Sequence, residues 1–144
     1  MKHFIVTLSF VFISLFGYST DNIISPDIQT RFLYEFEHAS NVSWSQVKDF
    51  YKASFTMDGR AMSAFYNADG ELIAVTKNIS VAELPETLAN NLKKELSNAW
   101  LSELFIMSTP NGEAYFANIE NGTTTTVLEA GMTRKWSVYN KSNK

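Results

Sequence analysis

The sequence predicts an α+β fold: two tandem helix-plus-four-strand units whose strands make an antiparallel sheet with the helices packed on one face. Three observations predict it. Asp58-Gly59 and Asp69-Gly70 are hairpin-turn dipeptides set between alternating apolar residues. The same layout returns at Asn111-Gly112 and Asn121-Gly122. A stretch with helical apolar spacing precedes each set of strands.

The chain opens MKHFIVTLSFVFISLFGYST. Lys2 and His3 form a short basic head, Phe4 to Phe16 an uncharged apolar run too short to span a bilayer comfortably, and Gly17 and Ser19 the small residues a signal peptidase reads. Residues 1–19 are therefore expected to be a signal peptide. Residues 20–144 are then one domain, with repeat units at about 25–78 and 80–140. A mature chain of about 125 residues buries roughly two-thirds of its unfolded surface. The protein is expected to be periplasmic or secreted.

The formal net charge is −3, and removal of Lys2 makes it one unit more negative. Without a basic run, the chain is not built to hold nucleic acid or an anionic membrane. There is no cysteine, which excludes disulfides, thiol chemistry and thiolate metal sites. Packing must hold the fold, and 14% aromatic residues suffice for that.

Ser25-Pro26-Asp27 is a helix start: a capping Ser, Pro in the first turn, and an acid beside it. Ile28, Phe32, Phe36 and Ala39 then recur at helical spacing. Two-residue loops at Asp58-Gly59 and Asp69-Gly70 pair Met57 with Arg60, Phe55 with Met62, Ala53 with Ala64 and Tyr51 with Tyr66, then Tyr66 with Ile73, Phe65 with Ala74 and Ala64 with Val75. Successive residues face opposite ways, so Tyr51, Ala53, Phe55, Met62, Ala64, Tyr66, Ile73 and Val75 share the core face. A calcium loop fails at the second dipeptide. With Gly70 as its sixth residue, its first and twelfth would be Phe65 and Thr76.

The second helix starts with a capping box, Ser80 and Glu83, restarts at Pro85, and carries Leu84, Leu88, Leu92 and Leu96 as its stripe. Aligning Gly59 with Gly112 puts Leu104, Ile106, Tyr115, Ala117 and Ile119 on the core face. Thr124, Thr126 and Leu128 join them, and a last strand offers Trp136 and Val138 inward.

Trp44 after a helix, the Phe65-Tyr66…Asp69-Gly70 hairpin and Leu84-Pro85 opening the next helix resemble the PepSY-like, beta-lactamase-inhibitor-like family of exported bacterial proteins. The resemblance covers most of residues 28–100 and, more weakly, the second unit, which lacks a Leu-Pro continuation after its last strand. It implies a small α+β domain with helices on one sheet face. By analogy of fold it implies binding or inhibition of another protein. It brings no catalytic residue.

The residues themselves offer little catalysis. His38 is the one histidine of the mature chain and is expected at the end of the first helix, where it complements the dipole. No cofactor, metal site or catalytic residue is expected. The outer sheet face is expected to display Phe65, Leu72, Phe105, Met107, Phe116 and Val127 to solvent, as anchors for a protein partner. Cover by the terminal segment, by a homodimer, or by curling of the sheet over this patch is the alternative. The expected function is a non-enzymatic periplasmic binding module, with inhibition as its specific form. A small-ligand or envelope-stress sensor with a pocket between helices and sheet is the rival.

Overall fold

The computed structural model describes residues 24–131 and 134–144, so the expected signal peptide lies outside the described residues. Helix α1 spans Pro26–Glu35. Ser25 Oγ accepts the Asp27 N–H at 3.3 Å, and Pro26 occupies the first turn, where a missing N–H costs no helical bond. The helix closes at Phe36, whose N–H donates to the Phe32 carbonyl at 2.8 Å. His38 is exposed in the turn beyond, outside the last helical turn.

Strands β1 (Ser40–Val47), β2 (Phe50–Met57), β3 (Arg60–Tyr66) and β4 (Leu72–Asn78) follow. A 3-10 turn at Val81–Glu83 leads to helix α2 (Glu86–Glu95), and a second at Leu96–Asn98 leads to β5 (Trp100–Thr109). Strands β6 (Gly112–Glu120), β7 (Thr124–Ala130) and β8 (Ser137–Asn143) complete the chain. All eight strands form one antiparallel sheet in chain order, so each helix precedes four of its strands.

The first hairpin has the expected register, with Met57 opposite Arg60 and Tyr51 opposite Tyr66. Asp58 and Gly59 carry φ of 52° and 74°, as a two-residue loop of this type requires. The second turn differs. Gly70 N–H donates to the Asn67 carbonyl at 3.1 Å and Asn67 N–H to the Glu71 carbonyl at 3.0 Å, so Asn67–Gly70 forms a four-residue turn. Phe65 still pairs with Ala74 and Ala64 with Val75, but Tyr66 pairs with Leu72 rather than Ile73. Ile73 is the extra residue of a bulge, and it inverts the alternation locally. Leu72 therefore packs on the α1 side and Ile73 on the opposite face, the reverse of the expected placement.

The later turns are also displaced. Thr109 pairs with Gly112, so the loop is Pro110-Asn111. The next turn runs from Asn121 to Thr124, with Asn121 Oδ1 accepting the Thr123 and Thr124 N–H groups at 2.9 and 2.8 Å. Each of these two displacements moves the pairing by an even number of positions, so Leu104, Ala117 and Leu128 keep their expected inner face.

Two cores lie on the helix side. Ile28, Phe32 and Phe36 pack on Ala53, Phe55, Ala64 and Tyr66, with the Phe32 ring 5.1 Å from that of Phe55. Leu84, Leu88 and Leu92 pack on Leu104, Ala117, Ile119, Leu128 and Ala130. Fully burying one such side chain stabilises by about 1.5–3 kcal/mol, more than an exposed ion pair supplies. The two tryptophans that follow the helices diverge. Trp44 sits edge-on to Phe32 at 5.3 Å, whereas Trp100 is exposed under the Lys144 ammonium at 4.9 Å. Trp136 points inward as expected and donates from Nε1 to the Leu88 carbonyl at 2.9 Å. Val138 lies opposite Leu128 on that same face, but on the edge strand β8 it remains 63% exposed.

Candidate functional site

The sheet has a third apolar cluster, on the face opposite the helices. Phe65, Ala74, Phe105, Met107, Phe116 and Val127 form it, with Ile73, Ala114 and Tyr139 packed around them. Alternation places them there, because Ala64 and Ala117, their strand neighbours, belong to the two helix-side cores. Among the described residues, neither helix contributes a side chain to this cluster.

Five of the six residues expected on this face are thus brought together, and Leu72 is not. The five were expected to be exposed, yet Phe65, Phe105, Met107, Phe116 and Val127 are all buried, Phe105 with only 1% of its surface accessible. Contacts within the face show part of the reason. Phe105 and Phe116 stack at 5.4 Å with ring planes 8° apart, Tyr139 meets Phe116 edge-on at 5.5 Å, and Lys52 reaches over the Phe65 ring at 5.7 Å. Tyr139 reaches Phe116 through a second bulge, since Val127 pairs with Asn140 and Leu128 with Val138.

Polar groups flank the cluster. Ser54 and Ser63 lie opposite each other on β2 and β3, with Thr76 beside them on β4. On β5 and β6, Glu103 pairs with Asn118, whose Nδ2 donates to Glu103 Oε2 at 3.0 Å. Burial lowers the Lys52 ammonium below its ordinary pKa, opposed by the charge of Glu103. Burial likewise raises the Glu103 carboxyl, opposed by Lys52 and by the Asn118 hydrogen bond. Neither Asn118 nor Glu103 stands out in the sequence. The alternation that puts Phe116 on this face also puts Asn118 there, and that was the available signal.

Among the described residues, no three His, Asp or Glu side chains converge as a metal site, and no helix is long and apolar enough to cross a membrane. The arrangement offers an apolar floor with a serine-rich side and one partly buried acid–amide pair, which suits recognition of another molecule's surface.

No family model and no curated protein sequence matches the chain. Solved structures do. A BLIP-like protein from Bacteroides fragilis is 17% identical, with a TM-score of 0.64, over 83% of this chain and 85% of that one. A DUF2874 family protein from Bacteroides uniformis is 15% identical, with a TM-score of 0.71, over 83% and 89%. A candidate periplasmic protein from Bacteroides eggerthii is 19% identical, with a TM-score of 0.70, over 88% and 90%. The chain therefore has the fold of these BLIP-like and DUF2874 structures, an eight-stranded antiparallel sheet with two helices on one face.

Proposed function

We propose that the protein is a non-enzymatic periplasmic module that binds another protein on the helix-free face of its sheet. The observation that carries this reading is the apolar cluster of Phe65, Phe105, Met107, Phe116 and Val127 on the side to which neither helix contributes. A sheet face that only has to meet water is mostly polar, and aromatic side chains gathered on such a face favour a macromolecular contact. The floor is buried, so the half-buried groups around it, Ser54, Ser63, Ala114 and Tyr139, are the first a partner meets. Leu72 has no part in this face. The signal-peptide-like N-terminus and the fold shared with a candidate periplasmic protein support the compartment. The fold shared with a BLIP-like protein supports inhibition as the specific consequence of binding.

The test leaves the floor intact and obstructs its margin. The exported protein and its Ser63→Arg/Ala114→Arg variant are immobilised and exposed to periplasmic extract, after both are shown to melt alike. A protein held by the parent and released by the variant, then titrated in pure form, supports the reading. Retention that is identical in the two overturns it. Loss of the captured protein's activity on saturation separates an inhibitor from a plain binder.

A further inference from the structure

The row Glu103–Asn118–Val127 crosses β5, β6 and β7 on the helix-free face. Asn118 is 7% exposed, and its Nδ2 donates to Glu103 Oε2 at 3.0 Å. That bond fixes the amide orientation, because the flipped amide would set Oδ1 against a carboxylate oxygen. Oδ1 is then buried without a hydrogen-bond donor, and among the described residues it is the one side-chain oxygen or nitrogen left so. Buried acceptors are nearly always satisfied, and one that is not points to a group the free chain does not itself supply.

Glu103 has a related deficit. Its carboxylate is partly buried, burial outweighs the influence of Lys52, and none of the described ion pairs includes it. Two acceptors short of donors thus sit side by side. Their neighbours along β6 and β7 are Phe116 and Val127, both buried, so a donor arriving here meets little competition from water.

We infer that this spot receives the guanidinium of an arginine presented by the partner protein. The inference rests on the helix-free face being the binding face. A guanidinium carries several N–H donors in one plane, enough for Asn118 Oδ1 and the Glu103 carboxylate together, and its charge offsets the partly buried acid. It is also more weakly hydrated than an ammonium, so it enters a site walled by Phe116 and Val127 at lower desolvation cost than lysine. A water molecule would satisfy Asn118 but would add no positive charge to that of Lys52, which burial of Glu103 already outweighs.

The experiment follows the Asn118 side-chain amide by NMR in the exported, isotope-labelled protein, the signal being assigned by its loss in Asn118→Leu. N-acetyl-argininamide is titrated beside N-acetyl-lysinamide and the uncharged N-acetyl-citrullinamide. The expected result is a saturable shift with the arginine probe and about tenfold weaker binding of the other two. Glu103→Gln, which still accepts from Asn118, should weaken the arginine probe by about tenfold as well. No saturable shift at tens of millimolar, equal response to lysine, or indifference to Glu103→Gln overturns the inference. If the probe fails while Ser63→Arg/Ala114→Arg still releases a captured protein, the arginine site falls and the binding face stands. If the probe binds while that variant releases nothing, the face falls, and the partner-borne arginine falls with it, leaving a guanidinium site on the chain.

Discussion

Tyr66 Oη donates to Glu35 Oε2 at 2.8 Å, joining the C-terminal end of β3 to the last residue of α1. Tyr66 has no accessible surface, and Arg31 braces the same carboxylate from one turn earlier, Nε to Oε1 at 3.2 Å. The first helix is thus held to the sheet by an oriented polar contact as well as by its apolar stripe. An apolar stripe tolerates sliding; a phenol that must reach one carboxylate does not.

Tyr66→Phe should cost about 1–2 kcal/mol, the range for a hydrogen bond to a charged acceptor that stays partly hydrated once abandoned. Glu35→Gln keeps an acceptor and should cost less. Burial first, then Glu35, raises the Tyr66 phenol above its ordinary 10.0. The folded state therefore keeps this proton longer than the unfolded one. Its contribution is complete below a pH of about 10 and declines as pH rises further. Urea unfolding at pH 7 and pH 11 should show the gap between parent and Tyr66→Phe narrowing at the higher pH. A constant gap would refute the linkage.

The sheet was legible because face assignment needs only parity. Asn111-Gly112 and Asn121-Gly122 suggest turns placed differently from those that form, yet Leu104, Ala117 and Leu128 still land in the core, since an even displacement keeps each strand's sides. Leu72 and Ile73 exchanged faces because one bulged residue breaks parity, and an Asp-Gly dipeptide fits both a two-residue loop and the longer turn seen here. Burial of Phe105 and Phe116 was not legible. Alternation states which side a residue is on, whereas exposure depends on what distant strands bring over it. Asn118 was invisible for a similar reason, because an amide in a strand gives no sign of which of its atoms will lack a partner.

Glu83 gathers the start of the second unit. Its carboxylate accepts from Arg60 Nη1, from the Ser80 N–H at 2.9 Å and from Ser80 Oγ at 3.0 Å. Arg60 foremost, then Ser80, holds its pKa at about 2 against an ordinary 4.5. A depressed acid stabilises above its unfolded value and loses that contribution as pH falls through the folded one, here from about 4.5 to about 2. Glu83→Gln preserves the capping box and removes the charge. It should lower Tm slightly at pH 7, as expected of an exposed pair, and not at all near pH 2. A deficit of the same size at both values would assign the loss to the cap instead.

Asn118→Asp should be among the worse single-atom changes in the chain. It places a second carboxylate where an amide now donates to Glu103 at 3.0 Å, in a site with 7% exposure. Two such acids cannot both ionise, so one pKa rises sharply. The expected cost is about 2–4 kcal/mol at neutral pH. A raised carboxyl restores stability as pH falls toward its unfolded value of about 4. Unfolding curves at pH 7 and pH 4 should show that recovery, and a pH-independent loss would show that shape rather than charge is at fault.

Gly59 and Gly70 separate backbone strain from steric contact. Both have left-handed φ, 74° and 78°, so alanine at either carries a conformational cost of about 1 kcal/mol. At Gly59 an added Cβ would meet nothing within 4 Å. At Gly70 it would lie 3.3 Å from Ile28 Cγ1, so Ile28, 2% exposed in the first core, would have to give by a few tenths of an ångström. The Gly70 carbonyl also accepts from Arg31 Nη1 at 2.9 Å, so a shift of the turn would disturb that bond too. Gly70→Ala should therefore cost roughly 2–3 kcal/mol against about 1 for Gly59→Ala, read as a larger drop in urea midpoint at unchanged slope. Asparagine tolerates a left-handed φ and should be nearly neutral at Gly59 while remaining damaging at Gly70. Equal losses at the two sites would mean that α1 yields freely at Ile28, and the turn would then not be what seats the helix.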